Sequence, residues 1–461
     1  MTMHTRAVGA LLVASTLLAA VAARADFQAA LGEYKAGHYD AARAQFLALA
    51  EVGDCSSQFN LGAMALAGQG QPKDSGSGVG WLQAAAGNGC ERLVGNKLAG
   101  LTAKLSTEES RSAAAIVARY GREALQAQGV VYPDFSCSRT RSAQVLESPV
   151  PEDPRAAGGR AQSALVITEL TIGADGLARD PEVLLAVPER GFAAAAVEAW
   201  LNSRFAPATR DGRAVESRLQ AKLLFGAGVS LPDTDAFRQA LPAANSGDPA
   251  AGYLVGLAGS VDSSLGVPSA SAGQLLLASA RDGNPQAQYW LGSQLRTASA
   301  CPGRGDGTVW LRHAADGGSA AAQLLRATDL LHGGPADAQV AEARTLLGRA
   351  ASSDSFYVRK HVAALLAASP TDAVRDPGTA LAVAMKLGAG EIQSDPQMFE
   401  AVAAAYAANG DFHNAVAQQR VAIAKARKLA WNTRLMDERL AAYRSGKPWR
   451  GDLFAVPAAG R

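Results

Sequence analysis

Residues 191–215, GFAAAAVEAWLNSRFAPATRDGRAV, differ from the Ala-rich helical sequence on both sides of them. Phe192 to Leu201 predicts a helix with its large apolar side chains on one side. Arg204-Phe205-Ala206-Pro207 ends that helix, because proline cannot continue it, and Asp211-Gly212 is a turn signal. A last strand is then predicted up to Leu223–Phe225. The stretch therefore predicts a small α+β unit within a helical chain.

Two further strands are predicted upstream of this helix. Residues 163–172 alternate apolar and polar side chains well enough for a half-buried strand. Asp175-Gly176 is a hairpin turn signal, and residues 181–187 predict the return strand. The whole unit is expected over residues 146–227, in the order strand, turn, strand, helix, turn, strand.

Several residues of this unit carry a family resemblance: Phe192, Ala195-Ala196, Trp200, Arg204-Phe205, Pro207-Ala208 and Asp211-Gly212. In kind and order they resemble the C-terminal domain of TonB-type energy transducers. The resemblance implies a domain that binds a partner segment by pairing it with an exposed sheet edge, where main-chain hydrogen bonds give affinity. The last strand is then the candidate partner-binding segment, with Val215, Leu219, Leu223 and Phe225 as its residues.

The unit departs from the family pattern at its start. Asp153-Pro154 stands where the family has Tyr-Pro, and Pro149–Pro154 is only a short stretch of linker. An energy transducer also needs an inner-membrane anchor and a long Pro-rich spacer, whereas helical repeats flank this unit. We expect a linker over residues 131–160, which overlaps the start of the unit, and a role in recognition rather than in force transmission.

Residues 26–130 are predicted to form helical repeats. Gly53 and Gly89 lie 36 residues apart, a period typical of helix–turn–helix solenoids. Between them stand Asn60-Leu61-Gly62, a Gly-x-Gly loop and Trp81. Residues 53–90 thus resemble a Sel-one-like repeat, a relative of the tetratricopeptide repeat.

A second array is predicted over residues 240–390. Turn pairs recur at steps of 36, 34 and 36 residues: Gly247-Asp248, Gly283-Asn284, Gly317-Gly318 and Ser353-Asp354. Residues 395–450 resemble a terminal tetratricopeptide hairpin followed by a cap with a polar outer face. The expected fold is multidomain and mainly α, an α-solenoid of Sel-one-like and tetratricopeptide-type hairpins flanking the α+β unit.

Residues 1–25 have the pattern of an export signal. A short basic start precedes an apolar stretch over residues 7–22, and Ala23-Arg24-Ala25 supplies small residues before a cut at Asp26. The apolar stretch is short of the roughly 20 residues that a spanning helix needs. We expect a periplasmic protein without stable membrane insertion; the alternative is an uncleaved segment anchored in the inner membrane.

Charge and cysteine content further limit the classes of partner and ligand that the sequence favours. The chain has 44 Lys and Arg and 42 Asp and Glu, and two of the arginines lie in the expected signal, so the remainder is balanced. Bulk charge therefore does not favour a nucleic-acid partner. An even number of cysteines in an exported chain favours disulfides over metal ligands. Cys55–Cys90 is the preferred bond, while other pairings with Cys137 and Cys301, or free buried thiols, stay open.

No motif for catalysis, a cofactor or a metal is found. The histidines lack metalloprotease spacing, and there is no nucleophile elbow, phosphate loop or dinucleotide fingerprint. We expect a non-catalytic scaffold that contacts envelope proteins, either by strand addition or through a concave repeat face. Three alternatives remain: a TonB-like energy-transducing or transport component, an enzyme with an unrecognised site, and repeats that only support the central unit.

Overall fold

The computed structural model describes residues 27–128, 130, 140–149, 164–187, 191–225, 235–262, 265–296, 307–390 and 392–455. The expected signal over residues 1–25, Cys137, Cys301 and most of the expected linker lie outside these residues. Within them the chain is mainly helical, with all of its strands between residues 140 and 225. The predicted fold class, mainly α with a small α+β unit, is confirmed.

The N-terminal helices are α1 (Phe27–Lys35), α2 (Tyr39–Ala50), α3 (Cys55–Ala67), α4 (Ser75–Ala85), α5 (Glu91–Val94), α6 (Lys97–Thr102), α7 (Thr107–Tyr120) and α8 (Arg122–Ala127). The α+β unit contains β1 (Thr140–Arg141), β2 (Gln144–Glu147), β3 (Ala164–Ile172), β4 (Ala178–Val187), α9 (Ala193–Asn202), β5 (Arg204–Ala206), β6 (Ala208–Arg210), β7 (Arg213–Val215) and β8 (Ser217–Phe225).

The second array contains α10 (Asp235–Asn245), α11 (Pro249–Val261), α12 (Ser269–Arg281), α13 (Pro285–Arg296), α14 (Thr308–Asp316), α15 (Ala320–Leu330), α16 (Asp337–Ala350), α17 (Phe356–Ala368) and α18 (Pro377–Gly388). The chain ends with α19 (Pro396–Ala408), α20 (Phe412–Lys428) and α21 (Arg434–Arg444). Successive helices of each hairpin pack together, as α11 does with α12 and α19 with α20.

Three of the turn pairs have one physical cause. The glycine adopts the left-handed conformation that ends a helix, with φ of +78° at Gly53 and +88° at Gly247. The residue after it begins the next helix, because the side chains of Asp54 and Asp248 accept hydrogen bonds from the first free backbone N–H groups. Gly53-Asp54, Gly247-Asp248 and Gly283-Asn284 are thus each a C-terminal stop and an N-cap in adjacent positions. At the other two sites the N-cap lies after the pair, at Ser319 and at Ser355.

The two repeat arrays meet in space although the α+β unit separates them in sequence. The Phe27 amide donates to the Asp282 carbonyl at 3.0 Å. Val52 and Leu125 belong to the same buried apolar cluster as residues of α10 to α14. The α+β unit is therefore an insertion into a repeat structure whose two parts are in contact.

The main sheet of the insertion has the order β4-β3-β8, with β3 antiparallel to both neighbours. The segment expected as linker also contains strands: β1 pairs with β6 and β2 with β5. These strands were not predicted, because each is too short to show an alternating pattern in the sequence. The last strand is also divided, since residues 213–215 form β7 and pair with β6, and only residues 217–225 pair with β3.

The structure joins Cys55 and Cys90 by a disulfide, with Cα atoms 5.6 Å apart. It links the start of α3 to the turn that follows α4. We predict that peptide mapping under non-reducing conditions recovers this pair, and that Cys55→Ser lowers the free energy of unfolding by about 2–4 kcal/mol. Cys90→Ser should cost a similar amount; recovery of Cys55 with any other cysteine would contradict the assignment.

Candidate functional site

Strand β8 lies at the edge of the main sheet, so its backbone on the side away from β3 is not paired within that sheet. Of its nine residues only Ala221 and Phe225 are buried, and Leu224 is 40% exposed. Such an edge has the main-chain donors and acceptors that strand addition uses. We name the outer side of residues 217–225 the β8 edge.

The four residues predicted for partner binding differ in their burial and in the strand on which they lie. Phe225 is 3% exposed and its ring lies 4.9 Å from that of Phe192, so it belongs to the core of the unit. Leu219 and Leu223 are half-buried against the core on the same side of the sheet as α9. Val215 lies in β7, outside the β8 edge. Leu224 is the exposed side chain of β8.

The other row of β8 side chains points to the repeats. Lys222 Nζ lies 2.6 Å from Asp262 Oδ2, directly after α11. Arg218 lies 2.6 Å from Glu169 Oε2 and 3.0 Å from Glu182 Oε2. One row of alternate residues therefore packs on α9. In the other row, Arg218 bonds β8 to the neighbouring strands and Lys222 bonds it to the repeats.

Glu169 and Glu182 form a buried carboxylate pair between the sheet and α13. They stand opposite each other on β3 and β4 and are 1% and 4% exposed. The Tyr289 hydroxyl donates to Glu182 at 2.8 Å, and Gln294 Nε2 donates to Glu169 at 3.2 Å. Burial is the main reason that the pKa of Glu182 is raised to about 7, and the charge of Glu169 raises it further. Arg218 lowers this pKa, but its charge is shared between the two carboxylates.

A β-bulge aims a third carboxylate at helix α17. Asp180 and Pro181 stand opposite the single residue Leu170, and Asp180 has a φ of +52°. Its carboxylate lies 2.8 Å from Lys360 Nζ and 2.7 Å from His361 Nε2. Burial opposes ionisation of Asp180, but the adjacent His361 and Lys360 hold the pKa of Asp180 well below its ordinary value.

Lys360 is a fully buried cation shared between two units. Its side chain is 0% exposed, and Nζ contacts Asp395 Oδ2 at 2.8 Å as well as Asp180. Gln397 Oε1 accepts a third hydrogen bond at 3.1 Å. The nearby carboxylates keep the pKa of Lys360 above its ordinary value despite burial. Lys360 thus ties the insertion to α17 and to the start of α19.

Apolar contacts complete the interface. Leu165 and Ile167 of β3 belong to the cluster that also contains residues of α10 to α14. On the other side, Val197 and Leu201 of α9 share a cluster with residues of α20 and α21, such as Ile423. Both faces of the sheet are therefore covered, and the surfaces of α11, α13 and α17 near it are occupied by the chain itself.

The sequence analysis did not find the charged residues of this interface. Glu169 lies in an apolar strand on the same face as Leu165 and Ile167, and Lys360 lies in an apolar helix. The signal available in the sequence for these residues was a charged side chain at a position predicted to face the interior. In the described part of the chain, no group of three or more His, Cys, Asp or Glu is arranged to hold a metal ion. Among the described helices, none has the length and apolar character to cross a bilayer.

Comparisons with known proteins identify the insertion. Residues 149–226 match the family model described as the Gram-negative bacterial TonB protein C-terminal. The resemblance inferred from the motif residues is therefore confirmed for that segment. No curated protein matches the chain.

Among solved structures, the chain is similar to a protective antigen present in uropathogenic Escherichia coli strains and displaying an SLR fold. The two are 14% identical, the match covers 91% of this chain and 72% of the other, and the TM-score is 0.34.

The raised pKa of Glu182 predicts a stability that falls with rising pH. Because the folded state holds its proton up to about pH 7 and the unfolded chain releases it near 4.5, folding is favoured at the lower pH. We expect the free energy of unfolding to fall by about 1–3 kcal/mol between pH 5 and 8 through this group. Glu182→Gln should remove that part of the slope, measured by urea unfolding at several pH values.

The control for this prediction is Glu198→Gln, at an exposed position on α9. This variant should keep the pH dependence of the original chain. His313 has an opposite effect, since burial lowers its pKa to about 4 and favours folding as pH rises from 4 to 6.5. The difference between the two Glu→Gln variants isolates Glu182; an unchanged slope in Glu182→Gln would contradict the prediction.

Proposed function

We propose that this protein is a non-catalytic scaffold of the bacterial cell envelope that binds an extended segment of another envelope protein along the β8 edge. The observation that carries the proposal is the position of β8: it is an edge strand, and its Arg218 and Lys222 are bonded to buried carboxylates. A strand held in this way loses little conformational entropy when a second strand pairs with it. The match of residues 149–226 to the TonB C-terminal family supports a role in protein–protein contact.

The repeats have a different part in this proposal. They cover the face of the sheet opposite α9. Their residues Asp262, Tyr289 and Lys360 form ion pairs or hydrogen bonds with the insertion. The insertion is thereby bonded to the repeats at several points, which suits positioning of a partner. Since the sheet occupies α11, α13 and α17, the β8 edge is the surface proposed for the partner strand.

Site-specific photo-crosslinking in the native cells tests the proposal. A photoreactive amino acid replaces Leu224, which is 40% exposed on β8, or Val421, which is 38% exposed on α20. We expect a defined envelope protein crosslinked from position 224 and not from 421. Capture from 421 without capture from 224 would assign binding to the repeats and overturn the proposal.

Strand addition also predicts a specific pattern of contacts along the captured partner. Single cysteines introduced along its crosslinked segment should form disulfides with Leu224→Cys in alternation, because every second side chain of an added strand lies on one face. A helical partner segment would give a period of three to four residues instead. That pattern would exclude strand addition.

We also propose a periplasmic location with the mature chain beginning at Asp26. Sequencing the N-terminus of the protein from a periplasmic extract tests it. An intact Met1 in the membrane fraction would favour the tethered, transducer-like alternative.

A further inference from the structure

A cavity of about 710 Å³ lies on the second repeat array, apart from the β8 edge. Residues of α13, α14, α15 and α16 line it: Leu295, Arg296, Thr308, Leu311, Arg312, Arg326, Asp329, Leu330 and Gln339. Its volume falls in the range of small-ligand sites. Neither the fold nor the proposed strand addition uses it.

Basic residues outnumber acidic residues in the lining of the cavity. Three arginines and one aspartate face it, with Leu295, Leu311 and Leu330 between them. A guanidinium carries five N–H donors in a planar fork, and one carboxylate engages at most two of them. Asp329 is the acid among these lining residues, while Arg312 and Arg326 pair with Glu51 and Glu342, which are not among them.

Carboxylates within the array orient two of the arginines. Arg296 forms a two-point ion pair with Asp329, one bond of which measures 2.8 Å between Nη2 and Oδ1. Arg326 Nε donates to Glu342 Oε1 at 2.9 Å. These pairs hold the two guanidinium planes in place at the wall, which lowers the cost of ordering them around a ligand.

Arg312 is held most loosely of the three. Among the described residues its ion-pair partner is Glu51, at 3.8 Å, and its side chain is 46% exposed. A partly exposed pair at that distance contributes little and is readily exchanged for a stronger one. A carboxylate ligand can therefore recruit Arg312 while Arg296 and Arg326 remain in position.

We propose that this cavity binds an organic anion with at least two carboxylates, its acidic groups on the three arginines and its carbon skeleton on the three leucines. Arginine is favoured for such binding because its fork engages a carboxylate by two parallel hydrogen bonds. The same chemistry is found in a free polycarboxylate and in the acidic side chains of a peptide, and the test distinguishes these sources.

Isothermal titration calorimetry on the full mature chain gives the test, with citrate and with the peptide acetyl-Asp-Leu-Glu-Leu-Asp-amide as probes. We expect saturable binding of at least one probe, and none of the neutral peptide acetyl-Asn-Leu-Gln-Leu-Asn-amide. Binding should weaken as ionic strength rises. Binding of citrate alone identifies a free polycarboxylate as the ligand class, and binding of the peptide identifies an acidic segment.

Variants at Arg312 make the test specific to the cavity. Arg312→Ala should weaken binding about tenfold or more, and Arg312→Lys should weaken it less, because it keeps the charge but loses the fork. Arg420→Ala, at an exposed position on α20 away from the cavity, should bind as the original chain does. Absence of binding by both probes, equal binding of the neutral peptide, or equal losses in Arg312→Ala and Arg420→Ala would overturn the proposal. Arg312→Lys keeps the cation beside Glu51, so it also controls for a change in folding.

Discussion

Replacing Lys360 by methionine should lower the free energy of unfolding by about 3–5 kcal/mol, because it leaves the buried Asp395 and the half-buried Asp180 without their shared cation. Asp180 and Asp395 both lie 2.8 Å from Nζ, and the side chain is fully buried. Methionine keeps most of the volume of the lysine side chain, so the loss of stability measures the missing charge rather than a new cavity. Urea unfolding at pH 7 measures it. The lost bond spans two units, so hydrogen exchange should also rise in β4 and the start of α19.

Two controls separate this effect from a general loss of charge. Lys428→Met removes an exposed lysine of α20 and should change stability little. The triple variant Lys360→Met, Asp180→Asn, Asp395→Asn should recover part of the loss, since it removes the unpaired charges along with the cation. A loss below about 1 kcal/mol in Lys360→Met would show that the buried contact is not formed as described.

Replacing Arg218 by methionine should have an effect of similar size that depends on pH. Arg218 is the cation between Glu169 and Glu182, both buried. Without it the folded state loses the cation that lowers the pKa of Glu182, so the folded pKa of Glu182 rises further above its unfolded value. The penalty is then small near pH 5 and reaches about 3–5 kcal/mol near pH 8, where unfolding releases the proton of Glu182. Urea unfolding at both pH values measures it.

Arg213→Met is the matched control, since it removes an exposed arginine from the same unit. It should show no added pH dependence. The triple variant Arg218→Met, Glu169→Gln, Glu182→Gln should lose the pH dependence and regain stability at pH 8. A penalty in Arg218→Met that is equal at pH 5 and 8 would contradict the assignment of both carboxylates to this cation.

The sequence predicts local structure well where the cause is local. Asp211-Gly212 forms the turn between β6 and β7, and the helix predicted from Phe192 to Leu201 is α9. Gly53-Asp54 and its counterparts end one helix and begin the next. In each case two to four neighbouring residues contain the full signal, so one sequence is enough to find it.

The sequence predicts the candidate site less completely. It locates the last strand, but an alternating pattern does not show which row of side chains packs on α9 and which on another part of the chain. Phe225 proved to be core, while Leu224 is the accessible apolar residue. Arg218 and Lys222 could have been solvated charges; their partners Glu182 and Asp262 lie 36 and 40 positions away in sequence.

By itself, the sequence determined that this chain is built from helical hairpins with an α+β unit of the TonB C-terminal type between them. Only the tertiary structure decided that the unit lies against the repeats, with β8 left at the sheet edge. The physical reason is the range of the interactions. Caps, turns and periodicity depend on residues a few positions apart, whereas Lys360 meets Asp180 across 180 residues of chain. Such a pairing follows from how the hairpins stack, which no local pattern contains.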